Sequence, residues 1–449
     1  MESLTPVSDK DAVTAPRDST RWVQLLLGVI AMMAISSPQY VWTLFTGPLS
    51  AKLGTTLAEI QVTFSLLIVL QTFFSPFQAY LVDRFGPKLL ISIGAVMSGG
   101  SWVLAAQASS LTALYVTYGV IGGFGTGIIY VGIIGLMVRW FPDRRGFATG
   151  LAAAGYGFGA FFTSFPIDSM IKSSGYAYTL LVWGVIQGAI GVAAAVGLRV
   201  PPEGYRPTGF DPDIVRTELQ SQRSYSPKEM LQNPIFYLLF VMMAMMSTSG
   251  LMVVSQMGAF TRDFGLANLI VFGLPVLPLA LSVDRITNGL TRPFFGWVSD
   301  RIGRENTMTI AFALEGAAMT AWLLTRESPV LFVLLSGVVF FGWGEIFSLF
   351  PSTLTDTYGP KHATTNYGLL YMAQGVGSVL GGPLAAILHD RTQSWIPVFQ
   401  VIIAMDFMTA ILAQLLLKPM RRRWFMQTHV AADRKETHAA VPRAVATAP

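Results

Sequence analysis

The chain has 449 residues, 52% of them hydrophobic and 12% charged, with a mean hydropathy of +0.53. That balance is too apolar for a soluble domain of this size and points to a protein that crosses a membrane many times. With no cysteine, disulfides, thiolate metal sites and cysteine nucleophiles are excluded, and the net charge of +5 follows from the placement of basic residues rather than from a nucleic-acid partner.

The first twenty residues are polar and carry no apolar segment of the kind that opens a cleavable signal peptide, so none is expected. Apolar stretches of about 20 residues can each cross a bilayer. They fall at 22–46, 57–80, 89–107, 112–138, 147–170, 177–199, 234–259, 269–296, 307–325, 330–354, 366–388 and 395–417. The one long polar stretch between them, Pro201 to Gln232, reads as a linker. The expected fold class is therefore all-α and integral to the membrane, with twelve spans in two six-helix halves. The parts are a tail over 1–21, a bundle over 22–199, a linker over 200–233, a second bundle over 234–417 and a tail over 418–449.

Basic residues orient the chain. With the N-terminus in the cytoplasm, twenty-three Lys and Arg fall in inside segments and five in outside loops, while Arg285 and Arg292 remain within a span. Such a bias predicts cytoplasmic termini, which an even number of spans allows, and a multi-pass protein of the plasma (inner) membrane.

The eighth span is the unusual one. Asp284, Asn288 and Arg292 are spaced four apart, and Arg285 comes seven before Arg292, so all four fall within about 100° on one helical face. Charged groups in hydrocarbon cost about 2.5–3.5 kcal/mol each and normally face a wet interior or a partner. Arg292 lies eight residues before Asp300, about 12 Å along the axis, which is deep in the bilayer. Its planar guanidinium can hold a carboxylate through two parallel hydrogen bonds. The alternative is a structural ion pair with Asp284, Glu315 or Glu345, and for Arg285 a pairing with Asp284 weighs equally. The same three acids are candidate proton sites, because an intramembrane carboxylate can carry a proton. Asp406 is expected to be peripheral and paired. All four histidines fall in loops or tail, so no histidine relay is expected.

A repeat is visible. Leu81-Val82-Asp83-Arg84-Phe85-Gly86-Pro87-Lys88 after the second span recurs as Trp297-Val298-Ser299-Asp300-Arg301-Ile302-Gly303-Arg304 after the eighth. Phe141-Pro142-Asp143-Arg144-Arg145-Gly146 after the fourth is echoed by Tyr358-Gly359-Pro360-Lys361-His362-Ala363 after the tenth. Duplicated halves are the construction of many secondary transporters. Glycine pairs at four-residue spacing, Gly123/Gly127, Gly155/Gly159, Gly184/Gly188 and Gly377/Gly381, predict close helix contacts that rearrange during alternating access.

The loop from Gly296 to Arg304 resembles the signature of the major facilitator superfamily, with Ala79 replacing the glycine in the first copy. The resemblance implies a cytoplasmic charge network of Asp83, Arg84, Asp300, Arg301 and Arg304 that holds one state of a rocking cycle. A closer likeness is carried by Gln39-Tyr40-Val41-Trp42-Thr43-Leu44, Arg139-Trp140-Phe141-Pro142-Asp143 and Ala153-Ala154-Gly155-Tyr156-Gly157. Asn288-Gly289, Arg292-Pro293-Phe294, Leu349-Phe350-Pro351-Ser352 and Asn366-Tyr367-Gly368 extend it. These stretches resemble the oxalate–formate antiporter family. That likeness places the substrate arginine at Arg292 and the cavity aromatics at Tyr40, Trp42, Tyr130, Tyr156 and Trp343. A second substrate cation, a lysine in the family, falls on Gln374, and a tyrosine of the tenth span is Phe347. A glutamine can hydrogen-bond a carboxylate but cannot neutralise it, so a dianion would need Arg285 as its second positive group.

The expectation is a secondary transporter of small carboxylates, an oxalate–formate-type exchanger, with proton-coupled symport of a monocarboxylate as the alternative. Its partners would be small carboxylate anions and the lipid bilayer, and it would act as a monomer with no cofactor, metal or catalytic residue. A membrane enzyme is disfavoured because the chain lacks a zinc-protease helix motif, a nucleophile elbow and a phosphate-binding loop. A transporter-like sensor would need an output domain that the short C-terminal tail does not supply.

Overall fold

The computed structural model describes residues 18–141, 145–202, 205, 207, 221, 223–359 and 362–426. It is all-helical apart from a two-residue hairpin, Ile270–Val271 with Leu274–Pro275, ahead of the eighth span. Among the described residues nine helices are long and apolar enough to cross a membrane, and the bent pair Leu57–Phe73 and Ser75–Val82 is a tenth. Arg145–Ser174 and Val276–Ile302 are the other two long helices, 30 and 27 residues, and together they complete the twelve spans of a multi-pass membrane protein. These two, the fifth and eighth spans, pack on one another between the bundles.

Breaks in three spans have local causes, and each places side chains used below. The first span is interrupted after Ala34 and again at Val41, with Pro38 in the first turn of the short helix Ser37–Tyr40. The second bends by 55° at Phe74, where the next helix restarts on Ser75-Pro76. The tenth stops at Trp343 and resumes at Ile346, so Glu345 sits in the gap.

Each half buries its own aromatic core. In the first bundle Trp102 stacks on Tyr118 and meets Phe45 edge-on. In the second, Phe260 is surrounded by Trp322, Phe332, Trp395 and Phe399. Phe162, Val185, Leu334 and Leu415 are exposed on the outside of the helices, a surface suited to lipid rather than water.

The glycine pairs make the close helix contacts expected of them. A Cβ at Gly155 or Gly159 would strike the first span at Val29 and Met33, and one at Gly377 or Gly381 would strike the seventh at Ser247 and Thr248. Gly123 and Gly184 likewise approach Leu67 of the second span and Gly99 of the third. All four pairs therefore make close contacts inside a bundle rather than between the two. The last span also runs on: its helix reaches Met426 rather than giving way to a tail at 418.

Candidate functional site

Arg292 sits in the middle of the contact between the eighth and fifth spans and is 2% exposed. Its Nη1 donates to the carbonyl oxygen of Ala153, and its Nη2 donates to Asn288 Oδ1 at 3.1 Å. Gly157 makes the room: a Cβ there would stand 3.2 Å from Asn288 Oδ1 and 3.5 Å from Arg292 Nη2. The guanidinium carbon lies 4.6 Å from the ring centre of Phe347. Every acceptor around Arg292 is neutral, its Nε has no partner, and no carboxylate pairs with it among the described residues. The expected alternative of an ion pair with Asp284, Glu315 or Glu345 is thus not what the fold builds.

Arg285, two turns away, is fully buried between two rings. Its guanidinium carbon is 4.1 Å from the centre of Tyr40 and 4.5 Å from that of Phe340. Asp284 Oδ2 is 4.0 Å from Nη2, beyond hydrogen-bond reach, and Nη1, Nη2 and both Asp284 oxygens are without hydrogen bonds. An adjacent pair on one helix points in different directions, so i,i+1 neighbours cannot form a close fork. Arg285 is neutralised only loosely.

The aromatic residues join the two arginines. Tyr40 packs on Tyr156 at 5.3 Å, Tyr156 on Tyr130 at 5.4 Å, and Tyr130 stacks on Tyr371 at 5.7 Å. Tyr371 meets Phe347 at 6.4 Å, and Phe347 meets Trp343 at 5.4 Å. The path from Arg285 to Arg292 is therefore a continuous aromatic wall drawn from both bundles. Tyr156 donates its hydroxyl to Gln39 Oε1 at 2.6 Å, while the Tyr40 hydroxyl and Gln39 Nε2 have no partner. Trp343 directs its indole N–H to the Met246 carbonyl at 2.8 Å, so it offers a ring rather than a donor. Gln374 is 1% exposed with Oε1 unpartnered, one turn beyond Tyr371.

Tyr371, Phe340, Asn288 and Gln39 are members of this cluster that the sequence reading left out of the site. Asn288 and Gln39 lay within the quoted motifs, and Tyr371 is at helical spacing from Gln374. Phe340 carried no signal beyond its apolarity. Trp42 behaves otherwise. Its described contacts are a hydrogen bond to Gln61 Oε1 at 2.9 Å and the Tyr118 ring at 4.8 Å.

The remaining acids do not surround the arginines as one group. Glu315 Oε1 accepts from Ser249 Oγ at 2.7 Å, and Asp406 Oδ2 lies 3.2 Å from the same oxygen. Asp406 is 0% exposed and has no cation partner among the described residues, so it is neither peripheral nor ion-paired as expected. The twelfth span packs on the ninth and turns Asp406 inward. Glu345, in the gap of the tenth span, is also fully buried and neither carboxylate oxygen has a hydrogen bond.

Away from the arginines, the bundle interface has two unlike ends. At the end opposite the repeated loops it is laced with polar contacts. Gln61 Nε2 donates to the Ser255 carbonyl at 2.7 Å and to Gln256 Oε1 at 3.0 Å. Ser65 donates to the Ser378 carbonyl at 2.7 Å, and the Gly258 N–H donates to Thr43 Oγ1 at 2.5 Å. At the end with the repeated loops, the described bonds run within a bundle. Arg304 bonds Asp356 at 3.0 Å and also Ser299, and Arg421 bonds Glu305 and, at 2.8 Å, Thr357. Arg84 donates to Tyr80 at 2.9 Å, and Arg301 lies over Trp297 at 3.9 Å. The side chains of Asp83 and Asp300 lie outside the described residues.

The sequence model of the Major Facilitator Superfamily matches residues 25–286 and 279–424. The chain is 32% identical over 419 residues to the oxalate:formate antiporter of Oxalobacter formigenes, covering 93% of this chain and 96% of that protein. It is 28% identical over 360 residues to an uncharacterized MFS-type transporter of Escherichia coli (strain K12), 80% of this chain and 86% of the relative. It is 26% identical over 349 residues to monocarboxylate transporter 13 of Bos taurus, 77% of each chain.

Proposed function

This chain belongs to the Major Facilitator Superfamily, in the family of the oxalate:formate antiporter, and from that premise we propose that it exchanges small carboxylates across the membrane by alternating access. One observation carries the reading. Arg292 and Arg285 are both buried at the bundle interface; the N–H groups of Arg292 meet only neutral acceptors, and among the described residues Arg285 has no carboxylate nearer than Asp284 at 4.0 Å. A charge so placed is costly unless an anion joins it. An exchanger uses that cost: with the site uncompensated the closed intermediate is too high in energy to cross, so return requires a second anion. The aromatic wall limits the guest to a few heavy atoms, and Arg285 supplies the second charge for a dianion where Gln374 cannot. The polar contacts that lace the interface opposite the loops fit a state closed on that side. The expected orientation puts the repeated loops and both termini in the cytoplasm of a plasma (inner) membrane, with the protein working as a monomer.

The deciding experiment is counterflow in proteoliposomes. Formate loaded inside should drive uptake of oxalate, and a pH gradient alone should not drive monocarboxylate uptake. The opposite pair of results would remove the exchange reading. A second reading, proton-coupled symport of a monocarboxylate, is favoured by Glu315 and Asp406 sharing Ser249 with no cation partner among the described residues. The likeness to monocarboxylate transporter 13 also supports it.

A further inference from the structure

A groove outside the transport machinery opens at the loop end of the first bundle. Phe85, Lys88 and Leu89, around the turn from the second to the third span, and Leu198, Arg199 and Val200, after the sixth, line a cavity of about 440 Å³. The helices that frame it are Ser75–Phe85, Pro87–Ala105 and Tyr176–Val196, so it sits where three spans end and hydrocarbon gives way to headgroups. Phe85 and Leu89 are each 54% exposed and Val200 is 46% exposed, an apolar surface that lipid covers and water does not favour.

Among the described residues, the only charged ones lining the groove are cations, Lys88 and Arg199. Neither side chain has a hydrogen bond or ion pair among the described residues. Arg199 is nevertheless presented from a fixed backbone. Its N–H donates to Gln24 Oε1 at 2.8 Å, and its carbonyl accepts from Trp140 Nε1 at 2.8 Å. Two free cations at the rim of an apolar slot match an amphiphile with an anionic head and acyl tails.

We propose that this groove binds one anionic phospholipid of the leaflet on the loop side. Its phosphate lies between Lys88 and Arg199, and an acyl chain lies along Phe85, Leu89 and Val200. The lipid would brace the turn that carries Asp83 and Arg84 against the start of the linker, so it ties membrane composition to the loop that gates the cycle. The inference rests on the membrane fold and is independent of the substrate.

The test is native mass spectrometry of the full chain in detergent with added phosphatidylglycerol or phosphatidylcholine. Wild type should retain phosphatidylglycerol in preference to phosphatidylcholine. The double variant Lys88→Ala, Arg199→Ala should lose that retention by about tenfold or more, and Lys88→Arg, Arg199→Lys should keep it. Equal retention of the two lipids, or unchanged retention in the alanine pair, would overturn the proposal. So would inorganic phosphate alone binding as well as the lipid, which would make the groove a soluble-anion site. If the alanine pair does not fold, Lys88→Glu at its exposed position gives the same reading.

Discussion

Arg292 on the eighth span donates Nη1–H to the carbonyl oxygen of Ala153 on the fifth, so the cation proposed to hold substrate is also a clasp between the two bundles. On the proposed function, an arriving carboxylate would compete for that N–H. Binding and the loosening of this contact would then be one event, which is what coupling substrate to movement requires. Gly157 eases the contact, because a Cβ there would crowd Asn288 Oδ1 at 3.2 Å, although it would meet Arg292 Nη2 at an ordinary contact distance of 3.5 Å.

Replacing Arg292 by lysine keeps the charge but removes the fork that reaches Ala153, Asn288 and the guest together. Losing a buried, hydrogen-bonded charge contact costs about 2–5 kcal/mol, or roughly 30-fold and upward in affinity. Arg292→Lys is expected to abolish uptake of oxalate, formate and lactate alike. Proteoliposome uptake at matched protein content checks it, and retention of any one substrate would separate Arg292 from the common step.

Arg285 should matter by charge of the guest. Arg285→Gln is expected to lower oxalate transport by about tenfold or more while formate stays within about twofold. Gln374→Lys in the Arg285→Gln background should restore oxalate by returning a second cation to the wall. Equal loss for mono- and dianions, with no rescue, would show that Arg285 serves Asp284 and the fold instead.

Gln61 carries two of the bonds that lace the interface opposite the loops. Gln61→Leu leaves buried partners unsatisfied at about 1–3 kcal/mol and should shift the population towards opening on that side. The chain has no cysteine, so Ser378→Cys provides a single label. Maleimide should modify that cysteine several-fold faster with Gln61→Leu than without it. An unchanged rate would mean that the lacing does not hold the closed state.

Glu315 and Asp406 separate the two transport readings. Neither touches Arg292 or Arg285 among the described contacts, so Glu315→Gln and Asp406→Asn should preserve formate–oxalate counterflow. If the chain moves a proton with its substrate, the same variants should lose uptake driven by a pH gradient and keep exchange. Loss of counterflow in both would place the acids in the anion path.

Much of the fold was legible because membranes impose simple rules. Twenty apolar residues make a span, and basic residues mark one side. A duplicated loop marks duplicated halves. Legibility failed where it depended on which helix a face meets. The glycine pairs were readable as close contacts but not as contacts inside a bundle. Asp406 looked peripheral because an isolated acid on a twelfth span says nothing about the serine on the seventh that receives it. Trp42 and Tyr40 are two residues apart, yet the break at Val41 sends one to Gln61 and the other to Arg285.

The sequence by itself determined the class, the two halves and the eighth span as the place where charge enters the membrane. It determined this because an arginine in hydrocarbon is costly enough to require a partner or a wet interior, whichever helix supplies it. Only the tertiary structure decided that Arg292 faces neutral acceptors rather than an acid, and that Asp284 pairs with Arg285 only at 4.0 Å, beyond hydrogen-bond reach. The physical reason is that pairing is set by directions and distances between helices, over a few ångströms, and a linear pattern of charges does not contain them.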